Sequence, residues 1–386
     1  MDQNFVAKVF GCNKWFKVKQ LTFFKTFKQL NNHEGIKIGS SNEIDKKSTN
    51  AKYLWLFGVV FAFVFTFIIW SLGPYLNHFT ESLILRNSLD WYYWKLPQRD
   101  FVGMTICWAL YFAHQISIWS CIYFGQRDKF GFKSSTIKGI PKYTFYTLII
   151  TIFFVFMHLV QTHLWYDGLA QDVPILTSQG SVIVMLSIVL LMENSRRGLF
   201  LGKKAGKPFT QQVSAFFRMT HKYIFAWALI YTFWFHPMTT DPQLISGFFY
   251  MLLLFTQIIL AWTWIHLDKK WIILLESYVA IHAVIVAIWN TEFFGGSVMW
   301  PMFFSGFAFM FVFTYMYAFK ADKKLYGIIT IIYFAFLAWL YLPTPWGFGR
   351  SITNLVRLEF LWIPIILYGL AVLFALLPYL KKRKNN

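Results

Sequence analysis

The sequence predicts an all-α integral membrane protein, a bundle of about ten transmembrane helices with both termini in the cytoplasm. Hydrophobic residues make up 57% of the 386-residue chain, charged residues make up only 14%, and mean hydropathy is +0.48. Apolar stretches of about 20 residues recur along the chain, and the charges fall between them. Because a surface in water needs more charges, the composition excludes a soluble enzyme, a disordered chain and a disulfide scaffold.

Ten apolar stretches are each long enough to cross about 30 Å of hydrocarbon. They lie at 53–73, 101–124, 143–165, 175–194, 217–237, 243–265, 271–290, 297–319, 325–343 and 358–380. The chain therefore divides into a basic N-terminal arm at 1–52, a transmembrane region at 53–380 and a basic tail at 381–386.

The cationic residues alternate from one side of the predicted membrane to the other. Of the 36 Lys and Arg residues, 31 lie in the two termini and in every second loop. The other side carries Arg86, Lys95, Arg99, Arg350 and Arg357. This distribution predicts that both termini are cytoplasmic, in a multi-pass protein of the plasma (inner) membrane. We expect the net charge of +19 to meet anionic headgroups of the inner leaflet and not nucleic acid.

The N-terminal arm mixes aromatic and aliphatic residues with lysines over residues 5–30. This pattern is typical either of an amphipathic helix on the inner leaflet or of a disordered basic arm. The polar residues 31–52 that follow are expected to form a linker.

Two histidines fall at one depth near the middle of the membrane. At about 1.5 Å per residue, His114 lies about 15 Å from the cytoplasmic end of the second stretch, and His282 about 18 Å from that of the seventh. A b-type haem takes two axial imidazoles on opposite faces of the macrocycle, so this pair fits haem b. Two alternatives remain open: buried histidines that hydrogen-bond to Gln115, Ser117 or Tyr278, and a proton relay.

A second group of histidines and acids lies near the outer boundary. His163 and His236 share a depth, His158 lies just below, and Asp167 and Asp172 follow His163. His236 with His163 or His158 is an alternative pair of haem ligands. A single transition metal is a further hypothesis. His158 and His163, however, project about 140° apart around one helix, which disfavours shared coordination.

Near the inner boundary, His221 and His266 are expected to extend towards the headgroups. The basic loop 195–215 is either an ordinary positive loop or a phosphate or lipid headgroup site.

Glu276 lies within the seventh stretch, and a carboxylate there must be neutral or paired. It therefore predicts either a proton path towards His282 or a structural hydrogen bond to a neighbouring helix.

Two stretches resemble a known family of membrane domains. HKYIFAWALIYTFWFH (His221–His236) and KKWIILLESYVAIHAVIVAI (269–288) are similar to helices of ferric-reductase-like transmembrane domains. The resemblance implies haem b held by His221, His236 and His282. The seventh stretch departs from the pattern, because Gly295 and Gly296 lie where a second histidine is wanted. No flavin or nicotinamide domain follows, so the resemblance implies a quinol or a redox partner protein as electron donor.

The first functional hypothesis is therefore a haem-b protein that transfers electrons across or within the bilayer, an oxidoreductase component to which Glu276 supplies protons. A transporter or channel is the alternative. The absence of an internal repeat and the position of the prolines at stretch ends disfavour it. A membrane enzyme acting on a lipid or isoprenoid is the third hypothesis. Its headgroup site would be the outer His/Asp group or the inner Arg196-Arg197-Gly198 loop.

Overall fold

The computed structural model describes residues 50–76, 96, 100–137, 139–206, 212–291 and 298–383. Residues 50–386 form one unit by their contacts. The predicted amphipathic arm at 5–30 and the rest of residues 1–49 lie outside the described residues. So does most of the outer segment between the first two helices.

Ten long helices, α1 to α10, coincide with the ten predicted apolar stretches. They are Ala51–Leu72 (α1), Phe101–Gln126 (α2), Lys142–Leu164 (α3), Ile175–Arg197 (α4), Gln212–Phe235 (α5), Pro242–Ile259 (α6), Lys269–Trp289 (α7), Trp300–Phe313 (α8), Lys323–Tyr341 (α9) and Trp362–Arg383 (α10). Within the described residues, nine of the ten are long and apolar enough to cross a membrane when the 3₁₀ turns that adjoin α1, α8 and α10 are included. The exception is α5, which has 24 residues but carries Arg218, His221 and Lys222 near its start.

Short elements connect these helices. Two-residue strands, Thr136–Ile137 (β1) and Ile140–Pro141 (β2), pair antiparallel in the α2–α3 loop. A five-residue helix, Ile352–Val356, precedes α10. Single 3₁₀ turns are Gly73–Leu76, Lys129–Gly131, Leu169–Gln171, Ile265–Leu267, Tyr315–Phe319 and Glu359–Leu361.

Aspartates begin several of the helices. Asp100 accepts hydrogen bonds from two backbone amides of α2, Asp241 from one of α6, and Asp268 from one of α7. Asp322 caps α9 in the same way. Such caps satisfy amides that have no partner within the helix, and Pro242 in the first turn of α6 has no amide to satisfy. The acids in the loops therefore fix where the apolar helices start.

Successive helices run in opposite directions, as side-chain contacts at their ends show. The start of α3 meets the end of α6, where the Tyr143 hydroxyl donates to the Ile258 carbonyl (3.0 Å). The end of α4 meets the turn before α7, where Arg196 donates to the Leu267 carbonyl (2.7 Å). We call this end of the molecule the basic end; it holds the last turns of α2, α4 and α6 and the first turns of α3, α5 and α7.

Helix α6 lies at the centre of the packing. It contacts α1, α3, α5 and α7, and 67% of its most apolar window is buried. Helix α4 packs against α5 and α10, and α7 packs against α8. Large apolar side chains on the outer helices remain exposed, such as Phe63 on α1 (62%) and Ile331 on α9 (70%). Lipid can solvate such a surface, whereas water cannot do so without cost.

Candidate functional site

A cavity of about 390 Å³ lies between α4, α5, α6 and α7 near the basic end. Its polar lining comes from all four helices and from the turn before α7: Glu193, Ser195, Arg196, Arg218, His221, Lys222, Gln257, His266 and Glu276. Its other walls are apolar and include Leu186, Val189, Phe225, Leu254 and Leu275. One space thus joins a charged end to an apolar interior.

Cations outnumber the free carboxylates around this cavity. Arg196 donates to Glu193 (3.2 Å), while Arg218 and Lys222 lie four residues apart and so share one side of α5. Lys222 lies above the Trp262 ring, 5.0 Å from its centroid. None of the described carboxylates forms an ion pair with Arg218 or Lys222. The excess positive charge favours an anionic ligand.

Glu276 is held by Arg197 in a buried ion pair between α7 and α4. Arg197 donates to both carboxylate oxygens, at 2.7 Å to Oε1 in the longer contact. The two side chains are only 1% and 6% exposed, and the guanidinium lies 4.5 Å from the centroid of the Tyr315 ring. This pair is the contact to a neighbouring helix that the sequence offered as one role for Glu276. The proton path through Glu276 stays a prediction.

His221 and His266 lie together in the cavity wall, with ring centroids 6.3 Å apart. His221 is only 7% exposed, and each ring is hydrogen-bonded to a backbone carbonyl; the expected extension towards the headgroups stays a prediction. His221 Nδ1 contacts the Phe217 carbonyl (2.7 Å), and His266 Nδ1 contacts the Gln257 carbonyl (3.0 Å). A carbonyl oxygen only accepts, so Nδ1 carries the proton in both rings and Nε2 is the accepting nitrogen. In His221, Nε2 accepts from the Lys222 ammonium (3.4 Å).

The environment of His266 keeps its ring neutral. Burial, and next the positive charge of Lys222 and the neighbouring His221, lower the pKa of His266 to about 3. At neutral pH its Nε2 is therefore a hydrogen-bond acceptor and a base beside the cations of the cavity.

A second cavity of about 90 Å³ lies farther from the basic end, between the same four helices. Met185, Tyr250 and Leu254 line both cavities, so they lie where the two cavities adjoin; we call these three side chains the neck. The second cavity is mostly apolar, but its lining also includes the polar side chains Thr232, His236, Gln243 and His282.

His282 belongs to this second cavity. Its Nδ1 lies 2.8 Å from the Ser246 hydroxyl, and its ring packs on Gly247, where a Cβ would lie 3.1 Å from Cε1. Glycine thus makes room for the imidazole between α6 and α7. His236 lines the same cavity, and its Nδ1 contacts the Thr232 carbonyl (3.0 Å).

His114 lines neither cavity. Its Nδ1 accepts a hydrogen bond from the Trp234 indole (3.2 Å), and Phe154 and Phe255 stack on its ring at 4.5 and 5.5 Å. Its Nε2 has no hydrogen-bond partner among the described residues. His282 thus lines the second cavity, whereas His114 lies among Trp234, Phe154 and Phe255.

The hydrogen-bond partners of the central histidines are therefore Trp234 and Ser246, not the predicted Gln115, Ser117 or Tyr278. Haem b ligation by His114 and His282, with a quinol or protein donor, stays a prediction.

The outer histidines and acids make separate hydrogen bonds. His158 Nε2 lies 2.9 Å from the His236 carbonyl, His163 Nδ1 lies 2.8 Å from a carbonyl one turn earlier, and Asp172 accepts from the Trp108 indole (2.6 Å). Across the part of the chain that the structure describes, no three His, Cys, Asp or Glu residues are grouped as metal ligands would be. Haem ligation by His236 with His163 or His158 stays a prediction.

Sequence inspection did not single out Arg218, Gln257 or Tyr250 as functional. A signal for Arg218 was present, because a basic residue precedes His221 and Lys222 by one helical turn inside a stretch that must otherwise be apolar. Gln257 and Tyr250 gave no such signal, since single polar residues are common in membrane helices.

Comparison with known proteins adds no relative: no family model, curated protein or solved structure matches this chain. The similarity to ferric-reductase-like domains therefore rests on the two short stretches alone.

Proposed function

We propose that the chain binds an anionic single-chain lipid or isoprenoid in the cavity near the basic end and acts on its headgroup as a membrane enzyme. The observation that carries this proposal is the lining of one cavity by cations at its mouth and by apolar side chains farther in. An amphiphile matches that division, because its head needs counter-charge and its tail needs a dry apolar wall.

The headgroup contacts are assigned to Arg196, Arg218 and Lys222. Arginine offers a planar set of donors that suits phosphate or carboxylate, and lysine adds a point charge. The distribution of Lys and Arg places the basic end in the cytoplasm. The ligand would then enter from the inner leaflet, where its head already lies at this depth.

His266 is the proposed general base. Its Nε2 would take a proton from the water or hydroxyl that bonds to the headgroup phosphorus or carbonyl carbon. The ester bond from that atom to the departing oxygen would break, and the imidazolium would give its proton to that oxygen, while Arg196 and Lys222 stabilise the negative charge that develops. A bound anion opposes the cations that depress the pKa of His266. Binding would therefore raise that pKa towards the range in which a general base works at neutral pH.

The test compares two probes of equal tail length, dodecyl phosphate and dodecanol, on the purified full chain in nanodiscs. We expect the phosphate to bind at least about tenfold more tightly, since charge-assisted contacts contribute about 1.5–3 kcal/mol each. The double variant R218Q/K222Q should lose that preference. K269Q removes an exposed cation that does not line the cavity and should keep it. Equal binding of the two probes, or loss of the preference in K269Q alone, would refute the proposal.

A transporter is the second candidate function, because the second cavity continues along the same helices. Headgroup hydrolysis or transfer by the reconstituted protein supports the enzyme. Movement of unchanged dodecyl phosphate between leaflets, without turnover, supports the transporter.

A further inference from the structure

The two cavities follow one path along four helices. On α4 the lining residues begin with Val182 and Met185 and end with Arg196; on α6 they run from Gln243 to Gln257. In both helices they recur every three or four residues, which is the spacing of a single helical face. Each set covers 15 residues, and its first and last residues are about 21 Å apart at about 1.5 Å per residue, a large part of the hydrocarbon thickness of about 30 Å.

The neck between the cavities has one fixed side and one adaptable side. The Tyr250 hydroxyl donates to the Leu275 carbonyl (2.8 Å), which fixes the phenol against α7. Met185 faces the same neck from α4, and its unbranched thioether can change rotamer at little cost. The neck can therefore admit a slender chain without movement of the helix backbones.

Polar side chains interrupt the apolar wall of the second cavity. Thr232, His236, Gln243 and His282 line it, and Gln243 accepts a hydrogen bond from Asn290, the residue that follows α7. Covering such groups with a methyl terminus costs free energy, because they lose water and gain no hydrogen bond. An apolar tail is thus favoured among the apolar side chains of the second cavity and is disfavoured from extending past its polar ones.

We infer that the tail of the bound lipid passes the Met185–Tyr250–Leu254 neck and ends in the second cavity, which makes that cavity a measure of chain length. This inference rests on the proposed function, since the head at the basic end sets the position from which the tail is measured. The ligand class is a lipid phosphate or carboxylate with one unbranched or isoprenoid tail, because two chains would not share a neck of three side chains.

Photo-crosslinking tests where the tail ends. Octyl, dodecyl and hexadecyl phosphates with a diazirine at the tail terminus are bound to the full chain in nanodiscs, irradiated, and mapped by peptide mass spectrometry. We expect the octyl probe to label the first cavity, around Leu186 and Val189. The hexadecyl probe should label the second, around Leu244 and Met251.

Two matched variants on α4 separate filling of the cavity from general damage. Val182 lines the second cavity, whereas Val184, also half-buried on α4, lines neither cavity. V182W should lower labelling of the second cavity about tenfold, because overpacking of a filled site is costly, and leave octyl labelling unchanged. V184W should label like the natural chain.

The possible failures are distinguishable. Labelling of the first cavity by all three probes overturns the tail inference and leaves the proposed function standing. The same experiment with the corresponding diazirine alcohols tests the headgroup. Labelling by the alcohols that equals labelling by the phosphates overturns the proposed function itself. Labelling of the second cavity that V184W lowers as much as V182W overturns the assignment of Val182 to the tail path.

Discussion

Replacement of Glu276 by glutamine should destabilise the protein strongly, because it leaves Arg197 buried without a counter-charge. The two side chains are 1% and 6% exposed, so water cannot replace the lost partner. Removing one member of a buried pair costs about 3–5 kcal/mol. The Tyr315 ring lies 4.5 Å from the guanidinium in the natural chain and in the variant alike, so this contact does not change the difference. We therefore expect E276Q to lower the free energy of unfolding by about 3–5 kcal/mol.

The assay is reversible unfolding in mixed micelles with increasing SDS, followed by circular dichroism, on E276Q, R197M and the double variant R197M/E276L. The double variant replaces the pair with apolar groups of similar volume and should recover to within about 1 kcal/mol of the natural chain. Such recovery would show that each single variant is unstable because it leaves one buried charge without its counter-charge.

The pair Arg196–Glu193 provides the matched control. It lies one residue earlier on α4, joins at 3.2 Å, and is 28% and 12% exposed. Its loss in E193Q should cost no more than about 1 kcal/mol, because water solvates the remaining charge. If E276Q costs no more than E193Q, or if R197M/E276L is as unstable as E276Q, the reasoning about the buried pair is refuted.

Two further predictions concern the histidines. The pKa of His266 is lowered to about 3 in the folded chain against about 6.5 in an unfolded one. Its contribution to stability is therefore complete above pH about 6.5 and is lost as pH falls towards 3. H266Q should show a smaller loss of unfolding free energy over that range than the natural chain, and an identical loss would contradict the assignment. For the haem hypothesis, a reduced-minus-oxidised spectrum should show an α-band that disappears in H114A and H282A. A spectrum without that band, or a band that survives both variants, would reject these ligands.

The positions of the helices could be predicted because length and hydropathy decide them. Each apolar stretch coincides with one helix, and the acidic caps mark several of the starts. The ends were less predictable where the backbone changes direction. The sixth stretch was predicted to reach residue 265, but α6 stops at Ile259, and Trp262 has a positive φ of 68°. The eighth was predicted to reach 319, but α8 stops at Phe313 and continues as a 3₁₀ turn.

The sequence gives only the depth of each side chain along its helix, so it predicted neighbouring residues of the site only where depth alone was sufficient. Depth correctly grouped His221 with His266, because α5 and the turn before α7 meet at the basic end. It also grouped His114 with His282, but α2 packs on α3 and α5 while α7 packs on α6 and α8. The depth of a residue in the membrane does not determine which helices are neighbours. The pairing of Arg197 with Glu276 was hidden for the same reason, since 79 residues separate them.

The composition of α5 distinguishes a functional cavity from a packing defect. Charged side chains within a membrane helix are costly and persist where they have a partner or a role. Arg197 and Glu276 have each other, and Arg196 has Glu193. Arg218 and Lys222 form no ion pair with the described residues, and they lie in α5, which is not among the nine described helices that are long and apolar enough to cross a membrane. Arg218 is exposed, but Lys222 is half-buried, where a charge without a counter-charge costs free energy. Their presence on the cavity wall is accounted for when an anion supplies the missing counter-charge, and the cavity is then the reason that α5 differs from its neighbours.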